Sequence, residues 1–162
     1  MSNKSKGSNA ERELYQIFIE NSFRAVRVAG SGVMENADCD LIAGKVGYKY
    51  AIEAKSTKKS SKYITKEQIE SFIIFCEIFE LKPVIAVRFN RIGWFFLNPG
   101  DLEDSGKNLV VSQDIARTKG KRFSQFFEEC INGNDADANK IKKQDDFSAD
   151  IELLKEMEDD DE

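Results

Sequence analysis

The chain has no histidine among its 162 residues. That absence removes Ser-His-Asp hydrolysis, imidazole-based nucleases and His-ligated zinc. Acid–base or metal chemistry is left to Asp, Glu, Lys, Ser and Tyr. Cysteine is sparse. Cys39, Cys76 and Cys130 lie far apart and form no CxxC pair, so neither a zinc cage nor a redox dithiol is supported. An odd, sparse count suits a reducing cytoplasm. No apolar run approaches the ~18 residues of a membrane span, and no apolar stretch opens the chain. Neither export nor a membrane partner is expected.

What is present is enough for one core. The apolar share is 41% and the charged share 33%, the composition of a soluble globular domain. The net charge of −5 is unevenly spread. Residues 133–162 hold 12 acidic and 4 basic side chains, leaving 20 basic and 17 acidic in residues 1–132. The body is therefore mildly basic, and the acidity sits in a tail expected to be disordered or weakly helical. Solubilisation is the plain role for such a tail. A partner contact or a DNA mimic is the sharper one, with residues 151–157 as a possible short amphipathic helix.

Periodicity gives an order of elements. Ser8 and Glu11 fit a capping box, predicting a helix to about Asn21 with Leu14, Ile17, Phe18 and Tyr15 inward. Residues 23–28 read as a strand, 29–37 as a flexible segment, and 40–43 as a short strand. A turn over 44–47 leads to a returning strand, 48–55. A loop over 56–63 carries Lys58, Lys59 and Lys62. Thr65 and Gln68 form a second capping box, opening a helix to about Glu80. Strands follow at 83–89 and 94–97. Residues 101–122 hold one possible strand, 109–111, and a closing helix covers 123–132. The fold class is α/β: a mixed five-stranded sheet flanked by helices, over a domain at 1–132.

The strand at 48–55 carries the chemistry. Strand side chains alternate, so Glu53 and Lys55 share one face and Ile52 and Ala54 the other. Asp40 opens the neighbouring strand, so Asp40 and Glu53 can converge. Two carboxylates with the Ala54 carbonyl make an all-oxygen site of the type Mg²⁺ prefers. Lys55 beside it can orient a bound water or steady the charge on a phosphate.

Asp40-x12-Glu53-x-Lys55 after an N-terminal helix is the PD-(D/E)xK nuclease pattern. Five stretches in order resemble the archaeal Holliday junction resolvases: residues 6–14, 26–31, 40–44, 52–55 and 84–94. The likeness spans roughly residues 6–130 and leaves the tail outside. It implies a restriction-endonuclease-like core and a homodimer that cuts four-way junction DNA using Mg²⁺, with Mn²⁺ as a substitute. Glu11, Asp40 and Glu53 would bind the metal, Lys55 would stabilise the transition state, and Ser31 would be catalytic on a mobile loop. Arg12 and Arg27 match residues that touch DNA phosphates. Two features depart from the pattern: Cys39 stands where the general motif often has proline, and the loop 32–38 is somewhat long. A sliding clamp or a helicase is a partner suggested by family analogy.

Each residue also has an ordinary reading. Glu11 can serve the capping box, Asp40 a strand end, Glu53 and Lys55 an exposed strand face, and Ser31 a turn between glycines. Lys58, Lys59, Lys62 and Lys66 can be a solvated loop or phosphate contacts. The helix from Thr65 has more apolar residues than one sheet can cover. It is either buried on two sides or forms a two-fold interface through Phe75 and Phe79. Rival functions are another nuclease of the superfamily, acting on duplex, flap or damaged DNA, and a catalytically silent DNA-binding dimer.

Overall fold

The computed structural model describes residues 3–28 and 39–132, with side chains from Asn9 onward. Ser31, its loop and the acidic tail at 133–162 lie outside the described residues. In chain order the elements are α1 (Asn3–Glu20), β1 (Arg24–Arg27), β2 (Leu41–Lys45), β3 (Tyr48–Thr57), β4 (Ser61–Thr65), α2 (Lys66–Ile78), β5 (Lys82–Phe89), β6 (Gly93–Leu97), a 3₁₀ turn (Pro99–Asp101), β7 (Glu103–Asp104), β8 (Asn108–Ser112), α3 (Gln113–Thr118), α4 (Phe123–Phe126) and α5 (Glu128–Asn132).

The main sheet has five strands in the order β1-β2-β3-β5-β6. All five expected strands are there. β1, β2 and β3 form an antiparallel meander, β3 runs parallel to β5, and β6 returns antiparallel. The two-residue turn between Lys45 and Tyr48 uses Gly47 at φ +80°, a conformation open to glycine because it has no Cβ.

Strand alternation sends side chains to two cores. Tyr50, Ile52, Val84, Ala86 and Phe96 pack with Leu14 and Phe18 of α1 and with Phe127. Phe18, Phe23, Phe96, Phe123 and Phe127 meet largely edge to face, with centroids 5.0–6.4 Å apart where Phe18 is a partner. Ala51, Ile85, Val87 and Phe89 face the other way, onto Ile69, Phe72 and Cys76 of α2 and onto Ile64 and Val111.

Four expectations change. The first helix starts at Asn3, so Ser8 lies inside α1 and no capping box forms at Ser8–Glu11. The segment 56–63 is mostly strand: β3 continues to Thr57 and β4 begins at Ser61. β4 joins a second sheet, β4-β8-β7, that the sequence reading did not contain. The closing helix is two short helices parted at Phe127, whose ring is buried in the phenylalanine cluster. The capping box at Thr65 is formed as expected, with the Gln68 N–H donating to Thr65 Oγ1.

Candidate active site

The site lies where β2 leaves β3. The β2–β3 ladder ends at Leu41 opposite Ile52, whereas β3 stays paired to β5 as far as Thr57. Beyond Ile52 that edge of β3 has no strand partner among the described residues. Asp40 fills the step. Its N–H donates to the Ile52 carbonyl at 3.0 Å, and its carbonyl accepts from Val28 N–H at 2.9 Å. Its carboxylate accepts from Ala54 N–H at 2.8 Å, taking the place of a main-chain acceptor from β2. The buried Asp40 is thereby fixed beside Glu53.

Glu53 and Lys55 project from the face of β3 that also carries Ala51, as alternation requires. The side chains are only 13% and 19% exposed, and Lys55 Nζ donates to Glu53 Oε1. Burial pushes the Glu53 carboxyl up to about 7; Lys55 opposes the rise, and the negative charges of Asp40 and Glu11 add to it. Glu11, from α1, is ion-paired with Arg27 of β1 at 2.8 Å. One helix and two neighbouring strand segments thus direct three carboxylates at one another.

Each of the three has its own partner. Among the described residues, no three acidic or cysteine side chains stand close enough together to hold a metal. Like charges in a half-buried space repel, and each carboxylate takes its nearest donor: Arg27, Ala54 N–H and Lys55 respectively. The donor chemistry suits a small hard cation, because it is all oxygen.

The remaining expected residues fall into three groups. Lys58 and Lys59 are exposed in the turn after β3, just beyond Lys55, and Arg12 is exposed on α1. Lys62 is half-buried on β4 and close enough to Lys55 to be repelled by it. Lys66 is held by Asp104 at 2.7 Å, and Arg27 by Glu11, so these two carry a carboxylate rather than a free charge.

Phe75 on α2 and Phe79 at its C-cap meet with tilted rings, 4.7 Å between centroids. Phe75 packs partly against the core, while Ile74, Ile78 and Phe79 are 55%, 72% and 58% exposed. The reading of α2 as buried on two sides within one chain is overturned.

Sequence reasoning missed one cluster. Glu13 of α1 accepts from Arg88 Nε at 3.0 Å and from the indole N–H of Trp94 at 2.9 Å, tying the helix that carries Glu11 to β5 and β6. The available signal was Trp94 within an apolar strand, since a buried indole N–H needs an acceptor.

Comparison with known proteins agrees with this geometry. Residues 2–132 match the family model described as archaeal Holliday junction resolvase (Hjc). The crossover junction endodeoxyribonuclease Hjc of Methanocaldococcus jannaschii is 43% identical over 111 residues, spanning 68% of this chain and 78% of that protein. Its counterpart from Archaeoglobus fulgidus is 32% identical over 135 residues, spanning 79% and 99%. The solved structure of the Archaeoglobus fulgidus Hjc, a Holliday junction resolvase, superposes with a TM-score of 0.68 at 26% identity, covering 75% of this chain and 94% of that one. The chain therefore belongs to the archaeal Holliday junction resolvase family, whose named members are crossover junction endodeoxyribonucleases.

Proposed function

We propose that this chain, as a homodimer, resolves four-way DNA junctions by paired symmetric nicks, hydrolysing phosphodiesters with Mg²⁺ to leave 5′-phosphate and 3′-hydroxyl ends. The observation that carries the reading is the half-buried Glu53–Lys55 pair beside Asp40, where β3 loses its β2 neighbour. Asp40, Glu53 and the Ala54 carbonyl would hold the ion, joined by Glu11 once a phosphate draws Arg27 away. When bound, the ion supplies an activated water and offsets charge on the leaving oxygen.

The chain's own groups do the rest. Lys55 places its ammonium at the phosphate and opposes the charge that develops there. Arg12, Arg27, Lys58 and Lys59 bind neighbouring phosphates, which fixes the strand without reading its bases. Lys66 is a lesser contact because it must first leave Asp104. Ser31, by family likeness, is the catalytic serine.

The exposed ridge of Ile74, Ile78 and Phe79 with Phe75 supports dimerisation through α2. A two-fold pair of sites matches the two-fold-related strands of a junction. Phe75→Asp with Phe79→Asp should yield monomers by light scattering; an unchanged mass would remove that interface.

No helix among the described residues is long and apolar enough to cross a membrane. The absence of paired cysteines supports a reducing cytoplasm.

The deciding experiment compares Mg²⁺-dependent nicking of a synthetic four-way junction with nicking of its linear arms. Preferential cutting of the junction is expected. Equal cutting of both would leave a general nuclease, and binding without cutting a silent junction-binding dimer.

A further inference from the structure

We infer that Lys62 is a second ammonium of the active centre, contacting the scissile phosphate beside Lys55. The inference rests on the resolvase reading and adds to it a residue from a different sheet.

Three observations place it there. First, β3 and β4 are joined by a short turn, so the chain returns at once to the end of β3 that bears Glu53 and Lys55. Second, alternation on β4 sets Lys62 on the same face as Ile64, with Tyr63 and Thr65 exposed on the other. Ile64 packs in the core that contains Ala51, the residue two before Glu53 on its own face of β3. The inner face of the second sheet therefore looks onto the Glu53–Lys55 face of the first. Third, Lys55 has a carboxylate partner, whereas among the described residues no acidic side chain is ion-paired with Lys62.

An unpaired ammonium, half-buried and beside a like charge, is an unfavourable arrangement for stability alone. Burial first, and then Lys55, press the Lys62 ammonium toward losing its proton. Both pressures are relieved by an anion lying between the two lysines. The anion this fold takes at that place is a phosphodiester. In hydrolysis a water oxygen bonds to phosphorus and the P–O3′ bond breaks. One water proton ends on the 3′-oxygen and the other in solvent. Lys62 keeps its protons throughout and acts as a fixed charge against the crowded phosphoryl oxygens.

The test is single-turnover cleavage of a four-way junction at saturating dimer in Mg²⁺, with thermal melting of each variant. Lys62→Met keeps the length and apolar stem and removes the charge. Its rate should fall by about tenfold or more, with the melting temperature at or above wild type. Lys62→Arg should recover most of the rate. Lys49→Met removes the same charge at the opposite end of β3, where Lys49 faces Glu80 at 3.7 Å, and should cleave like wild type. A wild-type single-turnover rate for Lys62→Met, with or without weaker junction binding, overturns the inference. So does a slow, destabilised Lys62→Met whose rate Lys62→Arg fails to recover, since that pattern marks a structural lysine. Wild-type cutting in the same assay reports separately on the resolvase reading.

Discussion

From Tyr50 to Ile52, β3 is buried and paired on both sides, to β2 and to β5. From Glu53 to Thr57 the same strand keeps β5 and loses β2, and its side chains turn polar and half-exposed. The first half contributes apolar burial. The second half holds Glu53, a carboxylate whose burial, with Asp40 and Glu11 nearby, disfavours its charged form. A strand can hold both because its two halves have different neighbours, and stability gained in one offsets strain kept in the other.

The largest test of this contrast is Glu53→Gln. Junction cleavage should fall by roughly a thousandfold or more, while junction binding, measured by gel shift, stays close to wild type. Retained cleavage would show that the polar half of β3 is not the catalytic half.

Ile52→Ala, one residue earlier, should do the reverse. Removing a fully buried side chain should cost about 2–5 kcal/mol in urea unfolding. Cleavage per folded molecule should persist.

A third test uses pH. The Glu53 carboxyl sits at about 7 in the fold against an ordinary 4.5, chiefly through burial. The folded state therefore favours the proton. The stability this gives is complete below pH 4.5 and is lost as pH rises through 7. Without divalent metal, the wild-type unfolding free energy in urea should fall across that window by an amount on the order of 3 kcal/mol, whereas Glu53→Gln should show no such fall. The variant should then be the more stable protein above pH 7. A parallel pH dependence in the two proteins would dissociate Glu53 from the strain.

Lys66→Ala gives the smallest effect and a baseline. Its partner Asp104 is exposed, and solvent screens the pair. The melting temperature should stay within error of wild type.

Much of this was legible in the sequence. The five strands of the main sheet follow from apolar runs bounded by turn residues, and Glu53 and Lys55 fall on one face by the two-residue period alone. Other features were hidden for physical reasons. Ser61–Thr65 and Asn108–Ser112 are short segments that pair with each other across more than forty residues, so neither shows a local signal strong enough to outweigh the lysines and serines around it. The Tyr63-Ile64-Thr65 run was the available clue, being rich in strand formers. Residue type identified Glu11 and Arg27 but not that they neutralise each other, because that depends on where α1 crosses β1. The cap assigned to Ser8 failed because the residues before it continue the helix.

The parallel register of β3 on β5 also bears on how the enzyme comes into being. Glu53 lies opposite Ile85, 32 residues later in the chain, with β4 and α2 between them. Such a long-range pairing closes slowly, after local helices and the β2–β3 hairpin have formed. On a ribosome, the strand that bears Glu53 and Lys55 waits for Lys82–Phe89 to emerge before its second edge is covered. That edge is therefore covered only once about half of the 162 residues have been made, after Lys55, Lys58, Lys59 and Lys62 are already in the chain.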